Sequence, residues 1–154
     1  MQRGPMVAFS EPGEWPEGAG QPRVLFEDWN APDLADHVEA CRRAGYLTAA
    51  CGGPRRRKDG LGGRTELLCP LVEGEACCLA EGADVIVVNS ILRPESEKVL
   101  RALRERFPGT PILVEIRTDA ERLAVEQLEG CEILEFPVTP EALLARIGAA
   151  LARA

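Results

Sequence analysis

A chain of 154 residues, 45% hydrophobic and 28% charged, has the size of one domain and enough apolar residues for a core, which excludes wholesale disorder. Its formal net charge of −7 argues against nucleic acid as the main partner, because a nucleic-acid binder presents a basic face to phosphate. No apolar run approaches the roughly 20 residues of a membrane helix, no secretory signal opens the chain, and six cysteines are too few for a disulfide-stapled scaffold, so a reduced, cytoplasmic protein without membrane contact is expected.

Residues 1–21 are rich in Pro and Gly and carry no sustained apolar period, which predicts a flexible N-terminal arm; Met6 to Phe9 and Trp15 are its apolar exceptions. The body is expected over 22–154. Arg23 to Phe26 reads as a buried strand. Asn30 to Asp33 reads as the start of a helix, with Leu34, Val38, Cys41 and Ala44 on its apolar face and Gly45 as a left-handed stop. His37, the only histidine, is placed on the polar side of that helix, in solvent. Tyr46 to Ala50 is a second strand. Arg55 to Arg64, basic and Gly-rich, is expected as an exposed loop, and a short helix is expected around Glu73 to Glu81. Gly60 to Gly63 lacks the strand-to-helix context of a phosphate-binding loop. Asp84 to Asn89 is the clearest strand, apolar on both faces as a central parallel strand must be. Then come a helix over Pro94 to Phe107, a strand over Pro111 to Ile116, a helix over Ala120 to Leu128, a strand over Ile133 to Phe136 and a helix over Pro140 to Ala152.

Strand and helix alternate about five times, which predicts a parallel sheet with helices on both faces, a three-layer α/β/α sandwich. Ligands of such sheets bind beyond the carboxyl ends of the strands. Those ends carry Glu27-Asp28, Cys51, Asn89, Ile116 with Arg117 and Thr118, and Phe136-Pro137. Glu115, a carboxylate inside a central strand, needs a partner such as Arg117.

Over about Pro22 to Ala152 the chain resembles a response-regulator receiver domain of the CheY type. The resemblance rests on Ala83 to Asn89, Gly109 to Val114, and Phe136 to Ile147, in order and at suitable spacing. It implies a flavodoxin-like fold, with a five-stranded parallel sheet in the order 2-1-3-4-5. It further implies an acidic pair for Mg²⁺, matched by Glu27 and Asp28, and a cis bond before Pro137. Three other positions depart from the family. The phosphoryl-accepting Asp is Asn89, the Thr or Ser after the fourth strand is Ile116, and the Lys before the proline is Phe136. An acyl phosphate needs a carboxylate nucleophile. The expectation is a degenerate pseudo-receiver without enzymatic activity, acting through protein partners, with residual Mg²⁺ binding left open. The last two helices are the expected surface for a homodimer.

The cysteines divide by position. Cys41 and Cys131 read as structural thiols. Cys51, Cys69, Cys77 and Cys78 flank or occupy the connection between the second and third strands of the expected sheet, where the chain departs most from a receiver. No C-x-x-C pair is present, and adjacent residues on a helix point about 100° apart, so Cys77 and Cys78 are not expected to share one ion. Three readings stay open: ordinary thiols, a zinc or iron–sulfur site, or a redox disulfide of Cys51 with Cys69 or Cys77. A thiolate metal or redox sensor on the same scaffold is the alternative function.

Overall fold

The structure, a computed structural model, describes residues 15, 20–27, 34–52, 55–58, 65–89, 94–126 and 129–153, and at 55–58, 65–68, 94 and 95 it describes the backbone alone. Five strands form the main sheet: β1 (Arg23–Glu27), β2 (Leu47–Cys51), β5 (Val85–Asn89), β6 (Ile112–Ile116) and β7 (Cys131–Glu135). Their order is β2-β1-β5-β6-β7, all parallel. Counting these strands alone, that is 2-1-3-4-5, as expected. β1, β5 and β6 are buried almost throughout, because helices cover both faces.

Alternation along each strand feeds two cores. Val24, Phe26, Val85, Val87 and Leu113 face α1 (Leu34–Arg43) and α5 (Pro140–Arg153), where they meet Val38, Cys41, Leu143 and Ile147. Leu25, Ile86, Val88, Ile112 and Val114 face α2 (Cys78–Gly82), α3 (Pro94–Arg106) and α4 (Asp119–Glu126), where they meet Leu79, Leu100, Leu103 and Val125. The helix ends have local causes. Gly45 adopts φ +90°, and the Tyr46 and Gly45 N–H groups donate to the carbonyls of Cys41 (3.0 Å) and Arg42 (3.0 Å), which closes α1. Thr139 caps α5 by accepting the Ala142 N–H at 3.1 Å, with Pro140 at the first helical position.

Several expectations are corrected. Arg55 to Arg64 is not a plain loop: β3 (Arg55–Lys58) pairs antiparallel with β4 (Thr65–Leu68) in a separate hairpin. Four-residue strands are too short to show a period, and the intervening glycines, outside the described residues, read as loop. The helix expected around Glu73 to Glu81 is divided. One turn forms after Cys69, with Glu73 N–H on the Cys69 carbonyl (3.0 Å) and Glu75 N–H on that of Pro70 (2.7 Å). Gly74 at φ +77° ends it, and α2 starts anew at Cys78. The last strand starts at Cys131, two residues early, because an edge strand tolerates a Glu such as Glu132, which pairs with Arg146 (3.9 Å) and Arg153.

His37 is also corrected: it is 1% exposed. It lies three residues after Leu34 and four before Cys41, on the buried arc of α1, and its Nε2 sits 2.9 Å from the Val138 carbonyl. Of the expected N-terminal arm, Trp15 is described and is docked. Its indole N–H donates to the Leu79 carbonyl at 3.1 Å, and the Arg23 guanidinium lies 5.6 Å from its ring. Gly82 makes room for it, since a Cβ there would stand 2.6 Å from Trp15 Nε1. No helix among the described residues is long and apolar enough to cross a membrane.

Candidate functional site

The carboxyl ends of the strands bring the expected residues to one edge, but on two faces. Glu27 ends β1, in register with Cys51 and Val88, and is buried. Alternation sets it on the Leu25 side, toward α2. Asn89 ends β5, opposite Glu115, and is 4% exposed. It follows Val87, so it belongs to the side of α1 and α5. Asp28 lies outside the described residues.

Ile116 is the last residue of β6, buried against the α2–α4 core. Glu115 is a fully buried carboxylate on a central strand. Its expected partner is in place, with Arg117 Nη2 3.7 Å from its Oε1. The same guanidinium lies 4.2 Å over the Phe136 ring. Phe136 donates its backbone N–H to the Ile116 carbonyl at 3.0 Å, and the Phe136–Pro137 bond is cis.

Beside this stack is an open pocket of about 180 Å³, lined by Ile116, Arg117, Thr118, Asp119, Arg122, Glu135 and Phe136. An ion pair from Arg122 on α4 to Glu135 on β7 crosses it. The N-terminus of α4 is capped by its own residues. Thr118 Oγ1 accepts the Glu121 N–H at 3.2 Å, and the buried Glu121 carboxylate accepts the Arg117 N–H at 3.4 Å. The sequence Thr118-Asp119-Ala120-Glu121 is a capping box that could have been read in advance. The stacking of Arg117 on Phe136 could not, because it depends on two separate strand ends meeting.

Mg²⁺ would need oxygen ligands from the acidic pair and the end of the third main strand. Among the described residues Glu27 faces α2, while Asn89 offers a carboxamide toward the other face.

The thiols are placed as follows. Cys51 ends β2, half-buried; Cys69 is buried; Cys77 is half-buried just before α2; Cys78 is exposed. Cys51 and Cys77 pack on the same core as Cys69. Burial pushes the Cys69 and Cys77 thiols up, and the Glu27 carboxylate pushes both further. The N–H groups of Val72 and Leu71 pull Cys69 partly back, as those of Ala80 and Leu79 do for Cys77. Cys69 and Cys77 also lie within electrostatic reach of each other. Cys78, the first residue of α2, is exposed but lies within electrostatic reach of Cys77, which precedes the helix in an extended conformation. Among the described residues no three His, Cys, Asp or Glu side chains form a group able to hold a metal ion. Cys41 is fully buried, and burial pushes its thiol up to about 12. Cys131 is half-buried; burial pushes its thiol up and Arg104 pulls it back.

The sequence matches no protein-family model and no curated protein. Solved structures are similar. A CheY-like receiver-domain protein from Methanospirillum hungatei superposes with a TM-score of 0.62 at 16% identity, covering 86% of this chain and 95% of that one. A response regulator receiver protein from Sinorhizobium medicae gives 0.60 at 21% identity, covering 88% and 98%. A putative pilus assembly-related protein from Burkholderia pseudomallei gives 0.59 at 17% identity, covering 91% and 96%. With the strand order and the placement of helices on each face, these likenesses show that the chain has the flavodoxin-like fold of CheY-type receiver domains.

Proposed function

We propose that the protein is a pseudo-receiver, a signalling module that regulates through protein contact and takes no phosphoryl group at Asn89. The observation that carries this reading is the end of β5. Where the receiver resemblance places the phosphoryl-accepting Asp, this chain has a buried carboxamide, 4% exposed. An amide oxygen is a poor nucleophile and leaves no stable acyl phosphate. Ile116 and Phe136 support it, since neither can offer a hydroxyl or an ammonium to phosphoryl oxygens. Incubation with a small acyl-phosphate donor and Mg²⁺, followed by intact mass, should leave the mass unchanged. A stable gain of one phosphoryl group on Asn89 or a neighbour overturns the reading.

The contact surface we propose is the face of α4, β7 and α5, used between two copies of the chain. Leu123 on α4 is 61% exposed and Phe136 beside β7 is 45% exposed, both large and apolar. The small residues at the end of α5 contribute less than the sequence promised, because Ala150 is buried in the chain's own core and Leu151 packs against it. Light scattering should give a dimer, and Leu123→Glu should return it to a monomer. A wild-type monomer at high concentration removes this surface from the proposal.

A further inference from the structure

The segment between β4 and α2 carries two thiols that the receiver fold does not use. It leaves the hairpin at Cys69, makes one helical turn, and returns to the same core at Cys77. The turn is held at both ends. Cys69 and Pro70 carbonyls accept N–H groups from Glu73 and Glu75, and the Cys77 carbonyl accepts that of Glu81 at 2.9 Å. Arg106 on α3 fixes the middle through a 2.6 Å bond to the Glu75 carbonyl. Both side chains rest on one apolar cluster beside the buried Glu27.

We propose that Cys69 and Cys77 are a dithiol site that closes to a disulfide by exchange with a small disulfide such as oxidised glutathione. Cys77, the more exposed of the two, attacks first as a thiolate. One small thiol leaves and a mixed disulfide remains on Cys77. Cys69 then displaces the second small thiol. Two protons and two electrons pass from the cysteine pair to the small disulfide, which ends as two thiols. The product is a neutral, apolar link in a place that disfavours thiolates, so the closed form suits its surroundings. The same surroundings make the first step slow near neutral pH. Because burial and Glu27 push the Cys77 thiol up, the rate should rise about tenfold per pH unit as the medium becomes alkaline.

The test treats the full chain with oxidised glutathione and reads intact mass. The expected product has lost two hydrogens and retains no glutathione. Cleavage after Arg64 and Lys98 isolates Cys69, Cys77 and Cys78 from Cys51, and cleavage at Glu73 and Glu75 separates Cys69 from the other two. Linked fragments should then hold Cys69, and Cys78→Ser should leave the link intact. Cys77→Ser, at a half-buried position, should abolish it and leave the circular dichroism spectrum unchanged. A link to Cys51 or Cys78, glutathione retained on single cysteines, or no mass change over the alkaline range overturns the proposal. A metal ion retained by the reduced protein that blocks the link overturns it in favour of a thiolate metal site.

Discussion

The two faces of the sheet are built on different plans. The face of α1 and α5 is packed from long, regular helices: Leu143, Ile147 and Ala150 descend in one stripe onto Val24, Val87 and Leu113. The face of α2, α3 and α4 joins one long helix, the thirteen-residue α3, to shorter pieces. Its α2 has five residues, a separate turn precedes it, and Trp15 and the half-buried Cys51 and Cys77 complete the packing. One face is therefore fixed by helical period throughout, the other by α3 together with single side chains seated one at a time. The first should fail by cavity formation, the second by displacement of an individual residue.

The largest effect is expected on the regular face. Leu143→Ala, at a fully buried position, should cost up to about 5 kcal/mol, measured by denaturant unfolding, because a stiff helix pair cannot collapse onto the cavity. A cost below about 1 kcal/mol would mean that α5 is as adaptable as α2. The next is Cys41, also on that face. Its thiol is held near 12 in the folded chain against an ordinary value of 9.0, so the neutral form is favoured by folding. That contribution is fully present below pH 9 and is lost as pH rises through the folded value. Over three pH units the loss is on the order of 4 kcal/mol. Alkaline melts should fall steeply above pH 9, and Cys41→Ala should flatten that slope.

On the other face, Gly82→Ala puts a methyl against Trp15 Nε1 and should push the indole from its seat at a cost of roughly 1–3 kcal/mol. In a Trp29→Phe background, fluorescence should shift to the red. An unchanged spectrum would mean that Trp15 is not held by Leu79 and Gly82. The smallest effect is expected at Thr118→Ala, which removes the N-cap of α4 and should cost about 1 kcal/mol in thermal melts.

The same contrast explains what could be read from the sequence. Val85 to Asn89 and Ile112 to Ile116 are apolar on both faces, so their length and flanking turns identified the central strands. The order of the sheet followed from the receiver resemblance. Short pieces carried no such signal. β3 and β4 are four residues each, and the charge of Arg55 to Lys58 pointed to solvent. His37 was misplaced because a polar residue on the buried arc of a helix is betrayed only by spacing, here three from Leu34 and four from Cys41. At the candidate site, residue types at strand ends were legible one by one. The face each occupies was not, and it is the face that separates Glu27 from Asn89 and sets Glu27 beside the thiols.

The hairpin sits on the connection that leads from β2 back to the centre of the sheet. Val24 must meet Val85 before the middle of the molecule exists, and every residue of β3 and β4 lies between them in the chain. Lengthening a connection costs little in closure entropy, roughly 0.6 kcal/mol for each doubling. It also raises the sequence separation of the central pairing, and that separation governs how fast a sheet forms. The hairpin itself closes locally, on the microsecond scale of such elements. Its presence therefore bears on the time the chain takes to reach its native state far more than on the depth of that state.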